Sequence, residues 1–217
     1  GTVDDLMETG SNVAINNAVK GSIDNGSMST LNAPEEVELA EKMLELHPWA
    51  GQARFSKTGG EAVTISLRIA RAYTKKTKIA FCGYHGWHDW YLSANLQDSK
   101  NLDKQLLSGL SAIGVPKELQ STAIPFNDGD LETLEAVLAK GDVAAIKMEV
   151  MRSKAPSLQY LKDIRRLADK YKCLLIFDEC TSGFRETYGG LHLKYGVTPD
   201  ITVLGKTLGN GYAITAV

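Results

Sequence analysis

Apolar residues along this chain fall into two alternating patterns. Short continuous runs of β-prone residues at 53–57, 78–83, 121–126, 143–150, 173–178, 201–204 and 212–217 predict seven strands, most of them buried on both faces. Between them, apolar positions spaced three and four apart predict helices over 62–73, 130–139 and 157–172. Upstream, Ala33-Pro34-Glu35-Glu36 opens an amphipathic helix reaching about His47, with Asn32 as its cap and Pro48 ending it. Residues 3–24 read as a loop and a helix, 21–32 as a polar Gly/Ser-rich loop, and 93–120 as an irregular insertion with short helical pieces. Repeated strand–helix alternation predicts an α/β fold, with a mostly parallel sheet covered by helices on both faces. The division expected is an N-terminal loop and helices over 1–50 and a core over 51–217.

Composition narrows the function classes. The chain has 217 residues, 43% hydrophobic, and 24 basic against 26 acidic side chains give a net charge of −2. That balance argues against a nucleic-acid or membrane-surface protein. No apolar run approaches transmembrane length, and no signal peptide opens the chain. Cys82, Cys173 and Cys180 form neither a disulfide framework nor a metal-ligand cluster, so a reducing cytoplasm is the expected location. Gly1 to Asp5 lacks an initiator Met and Ala213 to Val217 ends inside an apolar run, so the expectation is a fragment of a longer chain.

Candidate chemistry lies at the ends of the strands. Ile201-Thr202-Val203-Leu204-Gly205 leads directly into Lys206, which would leave the strand at its carboxyl end, where open α/β sheets bind ligands. A partly desolvated amine there loses its proton more easily and attacks carbonyls to form a Schiff base; the alternative is a solvated lysine at a loop entrance. Thr58-Gly59-Gly60 stands between a strand and a helix, and is open to two readings: a phosphate cradle or a tight turn with a capping threonine. Leu174-Leu175-Ile176-Phe177-Asp178-Glu179 ends in an acid that could pair with a protonated heterocycle, bind magnesium through water, or be satisfied by backbone N–H groups. Glu179 points to the opposite side, toward a structural partner, and Arg185 reads as an anchor. Tyr84 and Trp87 are candidates to stack on a planar cofactor, or simply to pack.

Several other chemistries fail on spacing. His85 and His88 stand three apart, but no further ligand cluster supports a metal site, and none is expected. Cys180 has no evident histidine partner to activate it. Gly205-Lys206-Thr207 lacks the glycine a P-loop requires, since position 200 is Asp200, and no G-x-G-x-x-G opens a helix.

Thr58-Gly59-Gly60-Glu61-Ala62, Tyr84-His85-Gly86, Asp178 through Arg185, and Tyr195-Gly196-Val197-Thr198-Pro199-Asp200-Ile201 leading to Gly205-Lys206 occur in one order along the chain. Together they resemble the class III, fold-type-I aminotransferases that use pyridoxal 5′-phosphate, most like the glutamate-1-semialdehyde 2,1-aminomutase group. The resemblance runs from about Val13 to Val217. It implies the large domain of that fold, with a seven-stranded sheet and most of the small domain missing, and a homodimer with active sites at its interface. It implies that Lys206 forms the Schiff base and moves the substrate proton, and that Asp178 keeps the pyridine nitrogen protonated. Thr58, Gly59 and Gly60 would hold the phosphate, Tyr84 would stack on the ring and Cys180 would lie on its other face. His85 and Glu149 complete the cofactor-binding positions it implies. Small-molecule amino donors and carbonyl acceptors would be the partners.

The chain departs from the family pattern at Gly60, which lacks a hydroxyl, at Val150, which follows Glu149 in place of proline, and at Asn210. The expected function is therefore an aminotransferase, with the aminomutase and a non-catalytic cofactor-binding or dimerisation core as alternatives.

Overall fold

The structure is a computed structural model and describes residues 12–26, 28, 30–151 and 153–217. Its elements are, in order, helices α1 (Val13–Asn25) and α2 (Pro34–Leu46), strand β1 (Phe55–Ser56), helix α3 (Gly59–Thr74), β2 (Lys78–Cys82), a short α4 (Asp89–Leu92), β3 (Ala123–Pro125), α5 (Leu131–Ala139), β4 (Val143–Glu149), α6 (Leu158–Lys170), β5 (Leu174–Glu179), α7 (Leu191–Tyr195), β6 (Ile201–Leu204) and β7 (Thr215–Ala216). Single 3₁₀ turns lie at Ser93–Leu96, Lys117–Leu119 and Lys206–Gly209.

The strands form one seven-stranded sheet in the order β1-β7-β6-β5-β4-β2-β3. The pairs β6–β5, β5–β4, β4–β2 and β2–β3 are parallel, and β7 runs antiparallel to both β6 and β1. This is the mostly parallel sheet that the strand–helix alternation predicts.

Strand alternation gives each face its own core. On one face Ala80, Ile146, Met148, Leu175 and Phe177 pack under Leu134, Leu138, Leu161, Ile164 and Leu167 of α5 and α6. On the other, Ile79, Phe81, Ala145, Ile176 and Val203 meet Ala62, Val63, Leu67 and Ala70 of α3, with Trp90 and Tyr91. A third, smaller cluster of Met43, Leu204 and Ala216 fastens α2 to the antiparallel edge.

Local chemistry moved several boundaries. Helix α3 starts at Gly59, three residues before the expected start, because Thr58 and Glu61 form a reciprocal capping box. The Thr58 hydroxyl accepts from Glu61 N at 3.3 Å, and the Glu61 carboxylate accepts from Thr58 N at 2.9 Å. Helix α2 is capped by Ala33, with no side-chain bond, in place of Asn32. Gly21 to Asn25, expected in a loop, continue α1. The expected loop before residue 12 lies outside the described residues. Helix α7 was not anticipated.

Candidate functional site

Strands β4, β5 and β6 bring their carboxyl ends to the face that α3 covers. Asp178 shares its parity with Ile176, which packs on that face, so its carboxylate emerges beneath the α3 side of the sheet. Glu179 turns the other way. There it accepts from Ser182 Oγ at 2.8 Å, Leu191 N at 2.5 Å and His192 N at 3.1 Å, with His192 Nδ1 in close contact. Glu179 is therefore a fully buried structural carboxylate, as its opposite orientation suggested.

Asp178 is 4% exposed and carries three contacts. Its Oδ2 lies 2.8 Å from His85 Nδ1 and accepts from Lys147 Nζ at 2.9 Å. Its Oδ1 accepts from Cys180 N at 3.1 Å. Burial alone would push this carboxyl up; the Lys147 ammonium and the His85 contact outweigh it and hold the group well below the usual carboxylate range. The site therefore contains a permanent buried anion.

Lys147 is the site residue that sequence reasoning missed. It is 0% exposed, inside the apolar strand β4, and faces the α3 side with Ala145. In the β4–β5 register it stands opposite Ile176, two residues before Asp178, so the two charges are diagonal neighbours on one face. The signal available was one lysine within the run 143–150, though nothing in the sequence supplies the register.

The loop after β2 closes over this pair. Gly83 has φ +103°, and a Cβ there would come within 2.7 Å of Glu149 Oε2, so the backbone needs glycine. Glu149 in turn accepts from Tyr84 N at 3.0 Å, which anchors the loop. His85 is buried behind Asp178, its Nε2 3.0 Å from the Cys82 carbonyl, and burial lowers its pKa, with Lys147 acting in the same direction. It thus touches Asp178 directly. Tyr84 is half-buried and meets Tyr91 edge-on, at 5.9 Å between ring centroids. Trp87 is 71% exposed.

Around the carboxylate stand the remaining candidates. Cys180 is half-buried, and its Sγ lies 3.5 Å from where a Cβ on Gly59 would stand and 3.2 Å from one on Gly205. These glycines bring the start of α3 and the end of β6 against one thiol. Burial pushes that thiol well above its usual range, which keeps it protonated and unreactive. Gly59 and Gly60 form the first turn of α3, where backbone N–H groups have no partner within the helix. The Thr58 hydroxyl is engaged in the capping box, which is the capping-threonine reading of the turn.

Lys206 follows β6 with φ +45°, and its Nζ donates to Thr181 Oγ1 at 3.1 Å. It is exposed, as in the solvated-lysine alternative rather than the partly desolvated one, and its charge reaches the Cys180 thiol. His88, the other histidine of the loop, does not join His85: its Nδ1 lies 2.9 Å from Thr64 Oγ1. Among the described residues no three His, Cys, Asp or Glu side chains are grouped to hold a metal, and no helix is long and apolar enough to cross a membrane. A cavity of about 910 Å³, lined by residues that include Met43, His47, Trp49, Tyr73 and Thr202, contains none of the site residues.

Chemically, the arrangement offers helix amides for an anion, a buried carboxylate for a cationic ring nitrogen and a primary amine for a carbonyl carbon. A flat heterocycle bearing both an anionic group and an aldehyde fits that donor set.

The sequence model of the family described as Aminotransferase class-III matches residues 8–217. A 3-aminobutyryl-CoA aminotransferase of Cloacimonas acidaminovorans is 40% identical over 211 residues, 93% of this chain and 47% of that protein. A glutamate-1-semialdehyde 2,1-aminomutase of Methanothrix thermoacetophila is 39% identical over 196 residues, 84% of this chain and 43% of that protein. Among solved structures, an omega-transaminase from Sphaerobacter thermophilus superposes with a TM-score of 0.82 at 28% identity, covering 95% of this chain and 49% of its own. A transaminase with PLP bound gives 0.80 at 27% identity, covering 95% and 49%. The chain spans about half the length of the curated relatives it matches, 47% and 43% of the two named.

Proposed function

Because this chain belongs to the class-III aminotransferases, we propose that it supplies the cofactor-binding core of an enzyme transferring an amino group between a small-molecule donor and an aldehyde or keto acceptor. The cofactor is pyridoxal 5′-phosphate, which would supply an electron sink for charge developing on the amine-bearing carbon. The observation that carries this reading is Asp178: a buried carboxylate kept ionised two residues before Cys180, whose thiol lies against Gly59 at the start of α3 and within reach of the Lys206 charge.

Each residue then has a defined task. The amides of Gly59 and Gly60, with Thr58 holding the turn, bind the phosphate, whose charge the helix N-terminus favours. Asp178 would accept a hydrogen bond from the protonated ring nitrogen and so keep that proton in place. Tyr84 and Cys180 would flank the cofactor ring and exclude water there. The Lys206 amine would bind the cofactor at its carbonyl carbon and would move a proton to and from the substrate carbon. His85 orients Asp178, and Glu149 holds the loop that carries Tyr84.

The aminomutase activity, moving the amino group within one molecule, is the second reading, favoured by the relatives of that name. A product assay separates them, since an aminomutase turns over without an external acceptor. A non-catalytic core is the alternative from another class, and predicts cofactor binding without reaction with any amine. We also propose a homodimer in the cytoplasm, and a division into N-terminal helices over 1–50 and the core over 51–217.

The test is a visible absorbance scan of the full-length protein with pyridoxal phosphate, then borohydride reduction and peptide mapping. A new visible band, with the reduced adduct mass on the Lys206 peptide, supports the reading. A folded protein that binds no cofactor overturns it.

A further inference from the structure

Asp178 Oδ2 serves two cations-in-waiting. Lys147 Nζ donates to it at 2.9 Å, and His85 Nδ1 lies 2.8 Å from it. His85 Nε2 meanwhile faces the Cys82 carbonyl at 3.0 Å. A carbonyl and a carboxylate are both acceptors, so both contacts are hydrogen bonds only when both ring nitrogens carry protons. That would set an imidazolium and an ammonium against one carboxylate in a site closed to water. The groups around the ring are Lys147 and Glu149 from β4, Asp178 from β5, and the rings of Phe81, Trp90 and Tyr91. Glu149 favours the imidazolium and Lys147 opposes it.

We propose that Lys147 is a positioning residue for Asp178: it competes with His85 for Oδ2, while Oδ1 accepts from the Cys180 amide, and it sets how firmly that carboxylate holds a protonated ring nitrogen. This rests on the function proposed above. A fully buried ammonium spends part of the carboxylate's charge permanently. The ring-nitrogen proton is then held less firmly than a lone Asp–His pair would hold it, and the electron sink is weaker at high pH.

The experiment compares full-length wild type with Lys147→Met and Lys147→Gln. The first removes charge and hydrogen bond, and the second keeps a donor, so one variant reports if the other fails to fold. The first readout is the His85 imidazole titration, followed by NMR on histidine-labelled protein without cofactor. Removing the ammonium is expected to raise the His85 proton affinity about tenfold or more in either variant. The second is the pH dependence of the visible band with pyridoxal phosphate bound, whose alkaline transition is expected to move to higher pH.

An unchanged His85 titration in a folded variant overturns the proposal, whatever the cofactor does. A shifted His85 titration with an unmoved visible transition also overturns it, because Lys147 would then act on His85 alone. Failure of wild type to bind pyridoxal phosphate, by contrast, is failure of the proposed function, and the cofactor-free titration still decides whether Lys147 governs the dyad.

Discussion

Lys147 Nζ and Asp178 Oδ2 lie 2.9 Å apart with side-chain exposures of 0% and 5%. The parallel register places the two side chains diagonally on one face, since Lys147 pairs with Ile176 and Asp178 with Glu149. Breaking such a buried pair leaves one uncompensated charge, at a cost of about 3–5 kcal/mol. Asp178→Ala should therefore destabilise the protein by roughly that amount, as read from urea denaturation. Changing both partners, in Lys147→Met with Asp178→Leu, should recover most of the loss, because well-packed apolar replacements avoid the desolvation cost. A double variant as unstable as Asp178→Ala would mean that packing, not charge, limits the site.

The same cluster gives the stability a pH dependence. Asp178 titrates lower folded than unfolded, so its contribution is complete above about pH 4 and is lost as pH falls from there toward the folded value. His85 also titrates lower when folded. The unfolded chain then takes up that proton first, and stability falls as pH drops below about 6.5. His47, buried and lowered in the same way, adds to this upper window. Urea midpoints should decline in two stages, below about 6.5 and again below about 4. His85→Gln should flatten the first stage without abolishing it; no change in that stage would refute the assignment.

Much of this site was legible because it sits where strands end. Asp178 and Lys206 each close an apolar run, and Thr58-Gly59-Gly60 carries turn chemistry that can be read locally. The sheet was legible for the same reason, through the long runs of β4 and β5. Lys147 was not, because its meaning depends on which residue of β5 lies diagonal to it. The cap of α2 and the start of α3 were misjudged, the first for want of a side-chain cap and the second through a reciprocal one. Helix α7 spans only five residues, and its first turn is held by the Glu179 carboxylate across the fold, a contact that no local pattern signals.

Lys206 provides a separation of function from stability. Its side chain is exposed and its recorded partner is the Thr181 hydroxyl at 3.1 Å. Lys206→Ala should change unfolding free energy by no more than about 0.5 kcal/mol. Turnover of the full-length protein should fall at least ~100-fold, the usual worth of a positioned acid–base group. Borohydride reduction with pyridoxal phosphate should no longer label that peptide. Retained turnover would remove Lys206 from the mechanism.

Two glycines near the site should respond oppositely to a side chain. At Gly183 a Cβ would stand 2.6 Å from Leu204 Cδ2 and 2.8 Å from the Glu179 carbonyl oxygen. That carbonyl belongs to β5 and already accepts from Gly183 N at 2.8 Å, so the backbone itself must move. Gly183→Ala should cost about 1–3 kcal/mol as overpacking. At Gly60 the obstacle is His88 Nε2, at 2.7 Å from the added Cβ, and His88 is a half-buried side chain with room to turn. Gly60→Ser should break the His88–Thr64 contact at a cost of about 1 kcal/mol or less, while restoring a hydroxyl beside the helix amides. Pyridoxal phosphate should then bind at least as tightly as to wild type by fluorescence titration. Weaker binding in a stable Gly60→Ser protein would show that the His88 ring, and not open space over Gly60, completes the phosphate end of the site.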